Sequence, residues 1–181
     1  YSDEDIKAME LGYIPNQAKL FKYLLNKGYS QSLIDEIVLN TGIGSTHKLS
    51  IPYRSGGNIR GFKFININHK EGDKLKKKYL NTTGEGLRDK FFNLSVVKGD
   101  KDVVIVEGEL DSLSATARGV ENVVATGGNS ITPEQIRDAI KKGAKIFTIC
   151  FDTEPGKEED TASKVNKVIK VILDEGVSRV Y

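Results

Sequence analysis

The sequence predicts an α/β protein with a parallel sheet, because short apolar strands alternate with helices throughout its second half. The predicted strands are residues 103–107, 122–126, 145–151 and 177–181, and the predicted helices are residues 111–119, 132–142 and 158–175. The runs VVIVE and KIFTICF are continuous and mostly apolar, which is typical of strands buried on both faces of a sheet. Helices of this length between strands indicate crossover connections, and therefore parallel pairing with helices on the sheet's faces.

The first hundred residues predict a smaller, basic α+β subdomain. Residues 3–40 have helical periodicity, with glycines at 28 and 42 as stop signals. Two apolar runs, KLSIPYR and IRGFKFINI, flank the turn SGGN and predict a hairpin. We place the domain boundary near residue 100, which separates an N-terminal subdomain (1–100) from the parallel-sheet domain (101–181). The last predicted strand reaches Tyr181, and we expect the domain to continue beyond it.

Charge is distributed unevenly along the 181 residues, although the net charge is only +2. Residues 45–90 contain eleven Lys or Arg and four Asp or Glu, a difference of +7, whereas residues 102–160 contain twelve acids and six bases, a difference of −6. A basic region beside an acidic one suits a polyanionic substrate whose phosphates are attracted by the bases and handled through a metal. A solvated lysine surface explains a run such as KLKKK equally well.

Composition excludes several classes of protein. No apolar run approaches the roughly 20 residues of a membrane-spanning helix, and the N-terminus lacks the pattern of a signal peptide. We therefore expect a cytoplasmic protein with no membrane partner. The single cysteine, Cys150, excludes an internal disulfide and a cysteine-rich zinc site, and its place in the run IFTICF predicts a buried strand residue.

Acidic residues follow two of the predicted strands. Glu107 and Asp111 come after VVIV, and Asp152 and Glu154 come after KIFTICF. Ligands of parallel sheets bind beyond the carboxyl ends of the strands, and carboxylates gathered there repel one another unless a cation is bound. The pattern predicts a magnesium site. Asp111 also suits a helix N-cap, and Glu154 taken alone also suits a solvated loop; both alternatives stay open.

The acidic motifs resemble the Toprim domain of bacterial DNA primases. The segments EGELDSLSA, NVVATGGNSIT and ICFDTEPGKEEDTA correspond in order to that family's EGxxD motif, small-residue turn and DxD motif. Upstream, IPYRSGGNIRGFKF, KYLN and DKFFNL resemble the region that precedes Toprim in the same primases. The resemblance covers roughly residues 20–181 and implies a Toprim-type sheet within a primase RNA polymerase domain.

This resemblance implies roles for individual residues. The implied catalytic residues are Glu107 and Asp152, the implied metal ligands are Glu107, Asp111, Asp152 and Glu154, and the implied nucleotide- or template-binding residues are Lys78, Lys90, Arg60 and Lys63. Two positions depart from the family pattern. Glu154 is one methylene longer than the usual aspartate. Ile65 stands where an arginine is expected, so that one phosphate contact is either missing or supplied by Arg60, Lys63 or Lys70.

The implied function is the catalytic core of a DNA primase, an enzyme that synthesises short RNA primers on single-stranded DNA. It implies two-metal nucleotidyl transfer with Mg²⁺ or Mn²⁺, ribonucleoside triphosphates as substrates, and a replicative helicase as partner through other regions. Two alternatives remain: a catalytically weak, nucleic-acid-binding Toprim module of a mobile-element or phage primase-helicase, and a Toprim nuclease. A topoisomerase is disfavoured because no tyrosine has a nucleophile's context, and a receiver domain is disfavoured by the order of its acids.

Overall fold

The chain forms two compact units, each described here by itself. The computed structural model describes residues 2–39, 42–55, 57–70, 72, 77–82, 87–99, 101–128 and 130–181. The parallel-sheet unit comprises residues 1–5, 53–60 and 84–181, and the antiparallel-sheet unit comprises residues 6–52 and 61–83. Gly56 of the predicted turn and Lys74 and Lys76 of the basic segment lie outside the described residues. The predicted domain boundary near residue 100 stays a prediction.

A four-stranded parallel sheet organises the parallel-sheet unit and confirms the predicted fold class. Its strands are β5 (Val103–Val106), β6 (Val123–Ala125), β7 (Ile146–Ile149) and β8 (Arg179–Val180). Their spatial order is β6-β5-β7-β8, and each neighbouring pair is parallel. The strands β5 and β7 are therefore neighbours at the centre of the sheet, although 39 residues of the chain lie between Val106 and Ile146.

Three helices connect these strands, as the sequence predicts: α4 (Glu109–Ala117), α5 (Pro133–Lys141) and α6 (Glu158–Asp174). The helix α5 begins with a capping box, in which Thr132 and Gln135 bond each other's backbone N–H groups, and with Pro133 in its first turn. Helices α4 and α6 carry acidic residues in their first turns, where the helix dipole favours negative charge.

Apolar side chains from the sheet and its helices form one core. Ile105, Val124 and Phe147 of the strands are fully buried, as are Ile136 of α5 and Ile172 of α6. Full burial of such a side chain contributes about 1.5–3 kcal/mol of hydrophobic free energy. This packing fixes the positions of the central strands β5 and β7, and therefore the points at which the loops after them begin.

The antiparallel-sheet unit contains most of a second sheet and short helices. The strands β1 (Gly12–Tyr13), β2 (Leu49–Ser55), β3 (Asn58–Ile65) and β4 (Tyr79–Asn81) are neighbours in this order, and β1–β2 and β3–β4 pair antiparallel. The ends of β2 and β3, residues 53–60, belong to the parallel-sheet unit. The helical elements of this unit are α2 (Gln17–Asn26), α3 (Gln31–Ile34) and a π-helix (Asp35–Leu39). The helix α1 (Asp3–Ala8) is divided between the two units after Asp5. No helix in the described part of the chain is long and apolar enough to cross a membrane.

Candidate metal and nucleotide site

The carboxyl ends of β5 and β7 bring two predicted acidic segments to one edge of the sheet. Ile105 of β5 pairs with Ile149 of β7, and the backbone N–H of Cys150 donates to the carbonyl of Ile105 at 2.8 Å. Glu107 lies two residues beyond its paired position, and Asp152 lies three residues beyond its own. Both acids therefore leave the sheet at the same edge.

Asp152 lies close enough to Asp111 to affect the ionisation of Asp111. Partial desolvation and, second, the negative charge of Asp152 raise the pKa of Asp111, while a hydrogen bond from the backbone N–H of Gly108 opposes this rise. Gly108, not Asp111, is the N-cap of α4, and a Cβ added to Gly108 would lie 2.5 Å from the Asp111 carboxylate. The ionised pair carries an electrostatic cost that a bound cation offsets.

The other two predicted ligands are paired with lysines. The Lys164 ammonium of α6 lies 3.5 Å from Oε1 of Glu107, and the Lys157 ammonium contacts the exposed Glu154 carboxylate. This contact lowers the pKa of Glu154. Across the described residues, no three His, Cys, Asp or Glu side chains are grouped closely enough to hold a metal ion. The predicted set of four is thus arranged as one acid pair and two separate ion pairs.

A buried hydrogen bond lies behind the acidic edge. The hydroxyl of Tyr53 donates to Oε1 of Glu109, the first residue of α4. Both side chains are about 95% buried. The Tyr53 ring also packs edge-on against Phe92, with ring centroids 5.2 Å apart. Neither residue was predicted to have a role.

Two residues of α5 hold Lys90, a predicted nucleotide contact. The Lys90 ammonium donates to Oδ2 of Asp138 at 2.6 Å, and the amide of the fully buried Gln135 donates to the Lys90 carbonyl at 3.2 Å. Gln135 also donates to the carbonyl of Thr126, 3.1 Å away. The helix α5 therefore fixes both the backbone and the side chain of Lys90.

Replacing Asp138 with Asn is expected to reduce the loss of folding stability at acid pH. Partial burial alone would raise the pKa of Asp138, but hydrogen bonds from Lys90 and Lys141 outweigh it and lower the pKa. A lowered pKa stabilises the fold above the carboxyl's ordinary pKa near 4, and this stability disappears as the pH falls through the lowered value. Urea unfolding measures the free energy of unfolding at pH 7 and at pH 3. Its decrease between these pH values should be about 0.5–1 kcal/mol smaller in Asp138→Asn than in the wild type. An unchanged difference would contradict the pairing.

The remaining predicted basic residues lie in or beside the antiparallel sheet. In the antiparallel-sheet unit, the Lys63 ammonium lies 4.5 Å and the Lys78 ammonium 5.1 Å from the centroid of the Tyr79 ring. Lys63 is 5% exposed, whereas Lys78 is exposed. Arg60 is an exposed residue of β3 and belongs to the parallel-sheet unit. Lys78 is consequently the predicted contact most available to an anion in its unit.

The parallel-sheet unit is similar to a Toprim-like domain. Residues 104–173 match the Toprim-like family model. The matched segment contains β5, β6, β7 and the acidic residues that follow β5 and β7.

The chain is similar in sequence to bacterial DNA primases. It is 26% identical over 195 residues to the DNA primase of Lactococcus lactis, with 97% of this chain and 29% of that protein covered. It also resembles the crystal structure of the zinc-binding and RNA polymerase domains of Aquifex aeolicus primase, with a TM-score of 0.73, 22% identity and coverage of 99% of this chain and 46% of that one. A DnaG primase catalytic domain bound to single-stranded DNA matches with a TM-score of 0.61, 18% identity and coverage of 92% and 55%. The chain spans between 29% and 32% of the length of the DNA primases of Lactococcus lactis, Borreliella burgdorferi and Deinococcus radiodurans.

Proposed function

We propose that this chain is the catalytic core of a DNA primase, which synthesises short RNA primers on single-stranded DNA from ribonucleoside triphosphates. The observation that carries the proposal is that Asp152 and the first turn of α4, which contains Asp111, follow adjacent parallel strands of a Toprim-like sheet, with Asp152 near enough to raise the pKa of Asp111. The similarity to bacterial primases supports the reaction, and the primase domain solved with single-stranded DNA supports the template. Cytoplasmic location and a helicase partner remain expectations from the sequence.

The acid pair suits a divalent cation such as Mg²⁺ or Mn²⁺. Both side chains offer only oxygen donors, which hard cations prefer. The raised pKa of Asp111, caused by partial desolvation and then by Asp152, indicates that negative charge there lacks compensation within the protein. In this proposal Asp111 and Asp152 hold the ion, and Glu107 and Glu154 complete the ligand set when they leave their lysines.

Each side chain then has a distinct task in nucleotidyl transfer. A bound divalent ion supplies Lewis acidity and neutralises phosphate charge. Asp111 and Asp152 hold this positive charge beyond the carboxyl ends of β5 and β7. Lys164 holds the Glu107 carboxylate at the same edge of the sheet before the ion binds. Lys90, oriented by Asp138, supplies positive charge for the phosphates of the nucleotide.

The exposed basic residues of the antiparallel sheet are proposed to contact the phosphates of the template. Lys78 and Arg60 are exposed. Lys63 lies on β3, and its ammonium lies over the Tyr79 ring. Lysine and arginine contacts to phosphate raise affinity without reading the base sequence, and they make the affinity depend on salt.

Replacing Lys78 with Gln is expected to weaken single-stranded DNA binding equally for all sequences. Loss of one phosphate contact should reduce the slope of log affinity against log salt concentration by about 1. Fluorescence anisotropy with two unrelated oligonucleotides, measured over a salt series, gives this slope. Lys142→Gln, an exposed lysine of the parallel-sheet unit, is the matched control and should leave the slope unchanged. A normal slope in Lys78→Gln would remove this residue from the template site.

The direct test of the proposed function is primer synthesis. The protein is incubated with single-stranded DNA, ribonucleoside triphosphates and Mg²⁺ or Mn²⁺, and the RNA products are separated on a denaturing gel. Template-dependent oligoribonucleotides support the proposal. Metal-dependent cleavage of the DNA would favour the nuclease alternative instead, and DNA binding without synthesis or cleavage would favour a nucleic-acid-binding module.

A further inference from the structure

We infer that the buried Tyr53–Glu109 hydrogen bond positions the metal-binding carboxylates, with Tyr53 and Glu109 acting as positioning residues at the start of α4. This inference rests on the proposed function, since it assigns these two residues to the same site. It concerns two side chains that do not themselves contact the metal.

Glu109 differs from the other acids of the segment EGELD in its burial. Glu109 lies midway between Glu107 and Asp111, the acids assigned to the site, yet it is 4% exposed while Asp111 is exposed. Its carboxylate is turned into the protein, where the Tyr53 hydroxyl donates to it. Burial of a carboxylate is costly without a hydrogen-bonded partner, so this bond holds the first residue of α4 inward.

The residues around the Tyr53 hydroxyl leave space for it. The Tyr53 ring packs against Phe92, whose backbone exchanges hydrogen bonds with Ala125 of β6 at 2.9 and 3.2 Å. Gly127, which has a φ of +70°, lies beside the hydroxyl, and a Cβ there would collide with it and approach Glu109 to 3.0 Å. Burial and the adjacent Glu109 carboxylate raise the pKa of Tyr53 well above its usual range, so the phenol remains a donor.

The N-cap of α4 makes no side-chain hydrogen bond to the first turn. This N-cap is Gly108, whereas the side chains of Asn16, Ser30 and Thr132 make such a bond for other helices. The Asp111 carboxylate accepts from the Gly108 backbone N–H and thereby ties the turn to itself. The Tyr53 hydroxyl ties the same turn to the protein interior, so the positions of Glu107 and Asp111 depend on it.

The test compares Tyr53→Phe with Tyr13→Phe, which removes the hydroxyl of a tyrosine that is 61% exposed. Mn²⁺ affinity is measured by calorimetry, and hydrogen exchange is measured for the amides of residues 107–112. Tyr53→Phe should weaken Mn²⁺ binding about 10-fold and accelerate exchange selectively in that segment. Tyr13→Phe should change neither quantity.

Two further variants separate positioning from general destabilisation. In Tyr53→Phe/Glu109→Gln the Tyr53–Glu109 hydrogen bond is absent, as it is in Tyr53→Phe, so Mn²⁺ affinity should stay within about 3-fold of that of Tyr53→Phe. Val177→Ala creates a cavity in the core away from the acidic edge and should lower the unfolding temperature without changing exchange at residues 107–112.

Each outcome bears on the inference separately from the proposed function. Unchanged exchange at residues 107–112 in Tyr53→Phe would overturn the inference whether or not the wild type binds metal. An affinity loss reproduced by Val177→Ala would overturn it too. If wild type binds no Mn²⁺, the proposed function fails, and selective acceleration of exchange would still support Tyr53 as the residue that holds the start of α4.

Discussion

Replacement of Asp152 with Asn is expected to lower primer synthesis by at least about 100-fold, comparable to the loss of an essential electrostatic group in other enzymes. The amide keeps the shape of the side chain but removes the charge that the metal requires. Stability should not fall, because Asp152 repels Asp111 and raises its pKa, second only to desolvation. The initial rate of primer synthesis and the urea midpoint, measured on the same preparation, check both parts.

Asp160→Asn is the matched control for this prediction. Asp160 is an exposed acid in the first turn of α6, eight residues along the chain, and the substitution makes the same chemical change. Its primer synthesis should stay within about 2-fold of wild type, as for surface changes in general. Equal rates for Asp152→Asn and wild type would remove Asp152 from the catalytic site.

Replacement of Phe147 with Ala is expected to destabilise the protein by about 3–5 kcal/mol. Phe147 is fully buried in β7, the strand that leads to Asp152, and its backbone pairs with both Val103 and Val180. The loss combines the transfer free energy of the ring with the cost of the cavity it leaves. Urea unfolding monitored by far-UV circular dichroism measures the difference.

The control for Phe147→Ala is Leu173→Ala. Leu173 lies on α6 with 49% of its surface exposed, so its truncation should cost less than about 1 kcal/mol. Similar losses in the two variants would mean that the core centred on β7 does not dominate the stability of this unit.

The parallel sheet was predictable because its signal is local. The apolar runs of β5 and β7 and the helices between the strands follow from periodicity alone, and the structure has them within a few residues. The first forty residues were less predictable: helices are present, but the two-residue strand β1 interrupts them, and it exists through pairing with Ser50 and Leu49 of β2. Such pairing is set by tertiary contacts that periodicity does not contain.

Cys150 shows how a local pattern misleads at the end of a strand. The prediction of a buried cysteine was wrong, since the strand β7 ends at Ile149 and the Cys150 side chain is exposed beyond it. The run IFTICF continues past the last paired residue, so apolar character alone overestimates the length of the strand.

The residues that support the site were not predictable from spacing. Tyr53 and Glu109 are 56 residues apart, and Lys90 and Asp138 are 48 apart, yet each pair is in direct contact. The motifs that contain Tyr53, Lys90 and Glu109 were recognisable, but nothing local indicates which distant side chain each residue meets. Tertiary packing determines those contacts.

The central claim is that Asp111 and Asp152 hold a divalent cation, and calorimetric titration of Mn²⁺ into the wild type, Asp111→Asn and Asp152→Asn tests it most directly. We expect saturable binding by the wild type and a loss of at least about 10-fold in affinity for each variant. The double variant should bind Mn²⁺ only slightly more weakly than the single variant with the lower affinity, because the two carboxylates share one ion. Unchanged Mn²⁺ affinity in both single variants would contradict the account.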